Sequence, residues 1–216
     1  MPRPEPPPKT TGLRAVWRFL QLGFSDFDTT ASLLPSSPFL VEAMLAPAGL
    51  ADARRVVELG TGTGTLTQEI LARLGPEAVL YGVELDPDLA AATTSRLRDA
   101  RLRVLEGSAA DVHHLVAAED VGQVDVVISS LGLSLMDEAL RTAIVREAGR
   151  VLRPDGVYMQ YAYAHARWFA WSQRRREYFR WHARPFLERH FHEVEGRFVA
   201  ANVPPAIAFT CRRAVE

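Results

Sequence analysis

Short apolar runs alternate with amphipathic stretches from about residue 55 onward. The runs Val56-Val57-Glu58-Leu59, Val79 to Glu84 and Asp125-Val126-Val127-Ile128-Ser129 are too short for helices and rich in β-branched residues. The pattern predicts strands near 55–59, 79–84, 102–106, 124–129 and 156–163, and helices near 65–74, 87–99, 111–118 and 137–151. Pro87 after Asp86 suits a first helical turn, and Arg153-Pro154-Asp155-Gly156 reads as a turn before the fifth strand. Two further strands near 194–201 and 206–212 are joined through Asn202-Val203-Pro204-Pro205. Alternation of strand and helix argues for an α/β fold, a parallel sheet covered on both faces.

Upstream of this alternation the pattern changes. Residues 1–11 are proline-rich and polar, and read as a disordered tail; 12–46 read as an N-terminal helical segment, and 47–216 as the main domain. Leu13, Val16, Trp17, Leu20 and Phe24 recur at helical spacing, with Arg14, Arg18 and Gln21 in a narrow polar sector. Such a helix either seats on lipid, with Trp17, Arg14 and Arg18 at the interface, or covers the domain's own core. A second stretch, Trp168 to Arg189, places Trp168, Trp171, Tyr178 and Phe179 on one side if helical, beside Arg174, Arg175 and Arg176. Aromatics next to arginines suit an anionic membrane, or else a solvated helix with structural aromatics.

Composition narrows the class. A chain of 216 residues, 48% hydrophobic, can bury a full core, and the single cysteine, Cys211, excludes an internal disulfide framework and fits a reducing compartment. The formal net charge of −1 gives no reason to expect nucleic acid as a partner. Neither an export signal nor an apolar run of about 18 residues is visible. The expectation is a protein of the cytoplasm, associated peripherally with a membrane.

The candidate chemistry lies in Glu58-Leu59-Gly60-Thr61-Gly62-Thr63-Gly64, a glycine-rich turn between the first strand and its helix. Glycine lets backbone approach a ligand, and the helix N-terminus beyond presents free N–H groups. Thr65-Leu66 stand where a Walker loop needs Lys-Ser/Thr, and Thr65 stands where a dinucleotide fingerprint needs glycine. Glu84, about 20 residues on at the tip of the second strand, is placed to accept hydrogen bonds from ribose hydroxyls. An NAD-binding or ligand-free doubly wound domain is the alternative.

This combination resembles the class I S-adenosylmethionine-dependent methyltransferases. More closely, the chain is similar to the soluble bacterial phospholipid N-methyltransferases, which convert phosphatidylethanolamine towards phosphatidylcholine. Thr30 to Leu40 with its Pro-Ser-Ser, the glycine turn, Gly107-Ser108-Ala109-Ala110-Asp111 and Asn202-Val203-Pro204-Pro205-Ala206 carry that similarity. It implies a seven-stranded Rossmann-like sheet ending in an antiparallel hairpin. It further implies S-adenosylmethionine held by Ser36, Ser37, Glu58, Gly60, Thr61, Gly62, Glu84, Leu85, Ser108, Ala109 and Ser129, with Asn202 on the substrate side and no metal. Tyr161 and Tyr163, on one side of their strand, are candidates to orient the attacking amine or pass its proton to water. Two positions depart from the family: Ser108 replaces an acid that accepts from the adenine amino group, and Gly132 replaces a proline. Ribosomal RNA adenine dimethylases are similar in the first half, but Ser129-Ser130-Leu131-Gly132 lacks their stacking aromatic. A methyltransferase for RNA or a small acceptor, and a non-catalytic cofactor-binding module, are the other readings.

Overall fold

The computed structural model describes residues 37–167, 170–172 and 177–215, all within the unit Leu34–Glu216. The expectations for residues 1–11, the helix carrying Arg14, Trp17 and Arg18, Ser36, Trp168 and Arg174 to Arg176 lie outside the described residues.

A seven-stranded sheet runs in the order β3-β2-β1-β4-β5-β9-β8. Its strands are β1 (Arg55–Leu59), β2 (Val79–Glu84), β3 (Leu102–Glu106), β4 (Val124–Ser129), β5 (Leu152–Tyr163), β8 (Phe191–Val199) and β9 (Ala206–Ala214). The first five are parallel, whereas β9 is antiparallel to β5 and to β8. The seven-stranded sheet with its terminal hairpin is therefore as the resemblance implies. Helices α1 (Pro38–Leu45), α2 (Thr65–Leu71), α3 (Pro87–Leu97), α4 (Val112–Ala118) and α5 (Glu138–Val151) cover it. Helix starts follow local chemistry: Ser37, Asp86 and Asp137 each cap a helix by accepting backbone N–H bonds.

β1, β2 and β4 are apolar almost throughout because both faces are covered. On one face Val56, Ile70, Leu80, Val126, Ile128 and Met159 form a core with Leu40, Met44 and Leu45 of α1. α1 lies across β5, β8 and β9 and against α2. On the other, Tyr158 stacks on Phe191 with ring centroids 5.1 Å apart, and its hydroxyl donates to Gln160 Oε1 at 2.8 Å.

Two expectations change. The turn expected at Arg153–Gly156 lies inside β5, where pairing with β4 shifts register between Val124 and Val126. Arg153–Gly156 thus stand opposite Asp125 alone, an irregularity within one continuous strand. The helix expected over Trp168–Arg189 is instead an antiparallel pair, β6 (Ala170–Ser172) with β7 (Glu177–Phe179), followed by the short helix α6 (Ala183–Leu187). Aromatic residues suit strands as well as helices, and Trp171 stands opposite Tyr178 in the register of the pair. Beyond the pair, Trp181 and Phe186 are buried against the Arg141 guanidinium, whose carbon lies 5.7 and 5.6 Å from their ring centres. Arg184 donates to the Val194 carbonyl at 2.8 Å, so this arginine is tied to its own fold.

Candidate active site

The carboxyl ends of β1, β2, β4 and β5 meet at one rim, where open α/β sheets bind ligands. At its centre Gly60, Gly62 and Gly64 all take positive φ. Gly60 is favoured by its φ of +82°, and a Cβ there would also crowd Leu131 Cδ2 at 2.5 Å. Gly62 differs: a Cβ would meet nothing within 4 Å, so open space lies before the turn where a ligand's polar groups would approach.

Two acids serve this turn in different ways. Glu84, buried at the end of β2, accepts the Gly62 N–H at 2.9 Å and the Asp86 N–H at 3.0 Å. It braces the turn as well as standing at the strand tip. Glu58 is fully buried in β1, and no hydrogen bond reaches either of its carboxyl oxygens. Burial pushes its pKa up to about 8; the Thr67 hydroxyl offsets part of the rise from beyond hydrogen-bond geometry, and the Glu84 carboxylate adds to it. The hydroxyls of Thr61 and Thr67 are likewise buried without a hydrogen-bond partner. Buried polar atoms without partners are costly, and three such side chains around one glycine turn fit a polar ligand that supplies the missing bonds.

The acceptor side of the rim joins this turn through β4 and β5. Ser130 Oγ donates to the Gly60 carbonyl at 2.6 Å, and the Tyr161 hydroxyl donates to the Ser130 carbonyl at 3.4 Å. Tyr161 and Tyr163 share the α1 face of β5 and meet edge to face at 5.5 Å; Tyr163 then stacks on His165 at 5.6 Å. Burial raises the pKa of both phenols. The raised pKa favours the protonated phenol at both positions.

Other residues named from the sequence take distinct places. Ser129 is fully buried within β4, with Oγ accepting the Leu131 N–H at 3.4 Å. Its neighbour Ser130, one residue along and on the other face, carries the hydroxyl that meets the glycine turn. Ser108 Oγ accepts the Ala110 N–H at 3.2 Å and caps the turn that buries Ala109 after β3. Leu85 is half-buried beyond β2. Ser37 and Asn202, expected on the cofactor and substrate sides, meet directly: Asn202 Oδ1 accepts the Ser37 N–H at 2.9 Å. Asn202 Nδ2 donates to the Pro204 carbonyl at 2.7 Å, so this buried amide latches the β8–β9 link to α1. Sequence reading missed Thr67 and His165. Alternation through Tyr161 and Tyr163 was a signal for His165, whereas nothing local marked Thr67.

The sequence model of a methyltransferase domain matches residues 56–156, the span that contains both acids and the turn. An ornithine lipid N-methyltransferase of Singulisphaera acidiphila is 33% identical over 201 residues, covering 92% of this chain and 97% of that protein. This chain belongs to the class I S-adenosylmethionine-dependent methyltransferases. It is an enzyme of that family, and S-adenosylmethionine is its cofactor. A ribosomal RNA small subunit methyltransferase A of Methylococcus capsulatus is 41% identical, but over 73 residues, a third of this chain and 27% of that protein. Among solved structures, 1,6-didemethyltoxoflavin-N1-methyltransferase of Burkholderia thailandensis, with bound S-adenosylhomocysteine, superposes with a TM-score of 0.68 over 99% of this chain and 94% of that one, at 17% identity, a likeness of fold. Glu58, Thr61, Gly62 and Glu84 are the residues of this methyltransferase that would hold the cofactor. When bound, the cofactor supplies a sulfonium-activated methyl group for in-line attack by a lone pair.

Proposed function

We propose that this methyltransferase acts on the amine of a membrane-lipid headgroup at a bilayer surface. The similarity to the ornithine lipid enzyme across 97% of its length carries the reading, because it includes the acceptor side of the rim and not the glycine turn alone. Phosphatidylethanolamine and its mono- and dimethyl derivatives, on the way to phosphatidylcholine, are one acceptor series; an ornithine headgroup is the other. Both offer a primary amine on a flexible arm. The Tyr161–Tyr163–His165 ladder suits such a group, since aromatic faces attract an ammonium and tolerate its methylated forms. Proximity then supplies much of the acceleration, as the ladder and the turn share the Ser130 contact. The amine enters as an ammonium and gives its proton to solvent, because both phenols keep theirs.

The partner surface is an anionic bilayer met from the cytoplasmic side. Phe39 and Val203, exposed to 64% and 72%, stand on either side of the Ser37–Asn202 latch and support apolar contact there. The Trp17, Arg14 and Arg18 pattern and the Arg174 to Arg176 run supply interfacial chemistry in the sequence. No helix among the described residues is long and apolar enough to cross a membrane.

The test incubates the purified full chain with methyl-labelled cofactor and three acceptors: vesicles of phosphatidylethanolamine with anionic lipid, vesicles of ornithine lipid with anionic lipid, and total RNA. Label in a lipid extract supports the reading, and the vesicle that takes it names the headgroup. Label in RNA alone overturns it.

A further inference from the structure

Glu58 is a carboxyl group shut away from water, with both oxygens unbonded and the hydroxyls of Thr61 and Thr67 unpartnered close to the same turn. In β1 it lies between Gly82 of β2 and Ile128 of β4, on the face covered by α2. Thr67 acts on it from α2 and the carboxylate of Glu84 from β2; among the described residues no arginine or histidine does so. An isolated buried carboxylate is so costly that such a group holds its proton instead. Glu58 couples electrostatically to Glu84, which holds the Gly62 N–H of the open turn, and the cofactor that this turn would hold carries an ammonium and, before transfer, a sulfonium. A cation entering a dry site favours the ionised acid strongly.

We propose that Glu58 is a proton-exchanging specificity residue: it keeps its proton in the free enzyme, releases it to solvent as the cationic donor seats, and thereby favours donor over spent cofactor. Methyl transfer removes one positive charge from the cofactor, so the carboxylate loses part of its attraction and takes a proton back from solvent. Release of product is eased by the same step. The inference rests on the cofactor and is independent of which acceptor is methylated.

Calorimetry of S-adenosylmethionine binding near neutral pH, in two buffers of different ionisation enthalpy, counts protons directly. Wild-type protein releases up to about one proton more than E58Q. The subtraction removes titration of the cofactor's own amine. S-adenosylhomocysteine releases fewer than the donor does. In wild type the donor Kd falls by up to about tenfold for each unit that pH rises towards the Glu58 pKa, a slope that E58Q lacks. E58Q also narrows the preference for donor over S-adenosylhomocysteine. Equal proton counts in wild type and E58Q overturn the proposal. Should E58Q fold poorly, infrared difference spectra of wild type alone decide: the protonated-carboxyl band present in free protein is lost on donor binding, and a band that never appears or never changes refutes it.

Discussion

The donor half and the acceptor half of the rim are built from very different distances along the chain. On the donor side Glu58, Gly60, Thr61, Gly62, Thr67 and Glu84 come from one β1–α2–β2 unit, where the Gly62 to Glu84 bond joins residues only 22 apart. On the acceptor side Ser130 reaches Gly60 across 70 residues, Tyr161 reaches Ser130 across 31, and Asn202 reaches Ser37 across 165. The donor half is thus a local motif that the methyltransferase family shares. The acceptor half exists only once β4, β5, β9 and α1 have assembled. Damage to the first should abolish cofactor binding, whereas damage to the second should alter how an acceptor is held.

The largest effect is expected where the halves touch. In Gly60→Val the new side chain meets Leu131 at a positive-φ position, costing about 3 kcal/mol of stability with loss of cofactor binding. Gly62→Ala meets only open space, so it costs about 1 kcal/mol through its φ, and its cofactor affinity falls further than its stability. Thermal melts and calorimetry on the pair would break the comparison if both variants behaved alike. Glu84→Ala removes the acceptor of two backbone N–H groups, and the resulting loss of about 2 kcal/mol appears mainly as a weaker cofactor Kd.

Stability against pH sharpens the contrast within the donor half. Glu58 binds its proton more tightly folded than unfolded, with a folded pKa of about 8 against 4.5. Its contribution is complete below the unfolded value and is lost as pH rises through the folded one, at up to about 1.4 kcal/mol per pH unit in between. Free enzyme should therefore melt at lower temperature as pH climbs through that window, and Glu58→Gln should flatten the decline. Denaturant midpoints measured across it provide the check.

Smaller effects belong to the acceptor half. Asn202→Ala leaves the buried Ser37 N–H unpaired and costs about 1–2 kcal/mol, raising acceptor KM more than cofactor Kd. Tyr161→Phe keeps the ring and loses one long hydrogen bond, about 0.5–1 kcal/mol. Because burial holds the phenol protonated, the alkaline limb of the pH–rate profile stays where it is in wild type while kcat falls. A shifted limb would show that Tyr161 titrates during turnover.

The same division explains what could be read in advance. Strand runs that are apolar on both faces, and helices that begin on Ser37, Asp86 or Asp137, carry their own local signals. Those elements lie close to where the pattern put them. The stretch around Trp171 and Tyr178 did not, because aromatics spaced for a helix also pair across a hairpin and the choice depends on neighbours. Ser129 and Ser130 show the finest limit: composition marks a hydroxyl at a strand end, but which of two adjacent serines meets the glycine turn is a matter of one residue in register.

The sequence by itself determined the order of strands and helices, the glycine turn with its two acids, and the cofactor these accept, since each depends on contacts within a few tens of residues. Tertiary structure decided which hydroxyl faces the turn, that Asn202 is a latch, that Tyr161, Tyr163 and His165 form one ladder, and that Glu58 is sealed from water. Register, burial and desolvation are properties of the assembled sheet, and no residue carries them alone.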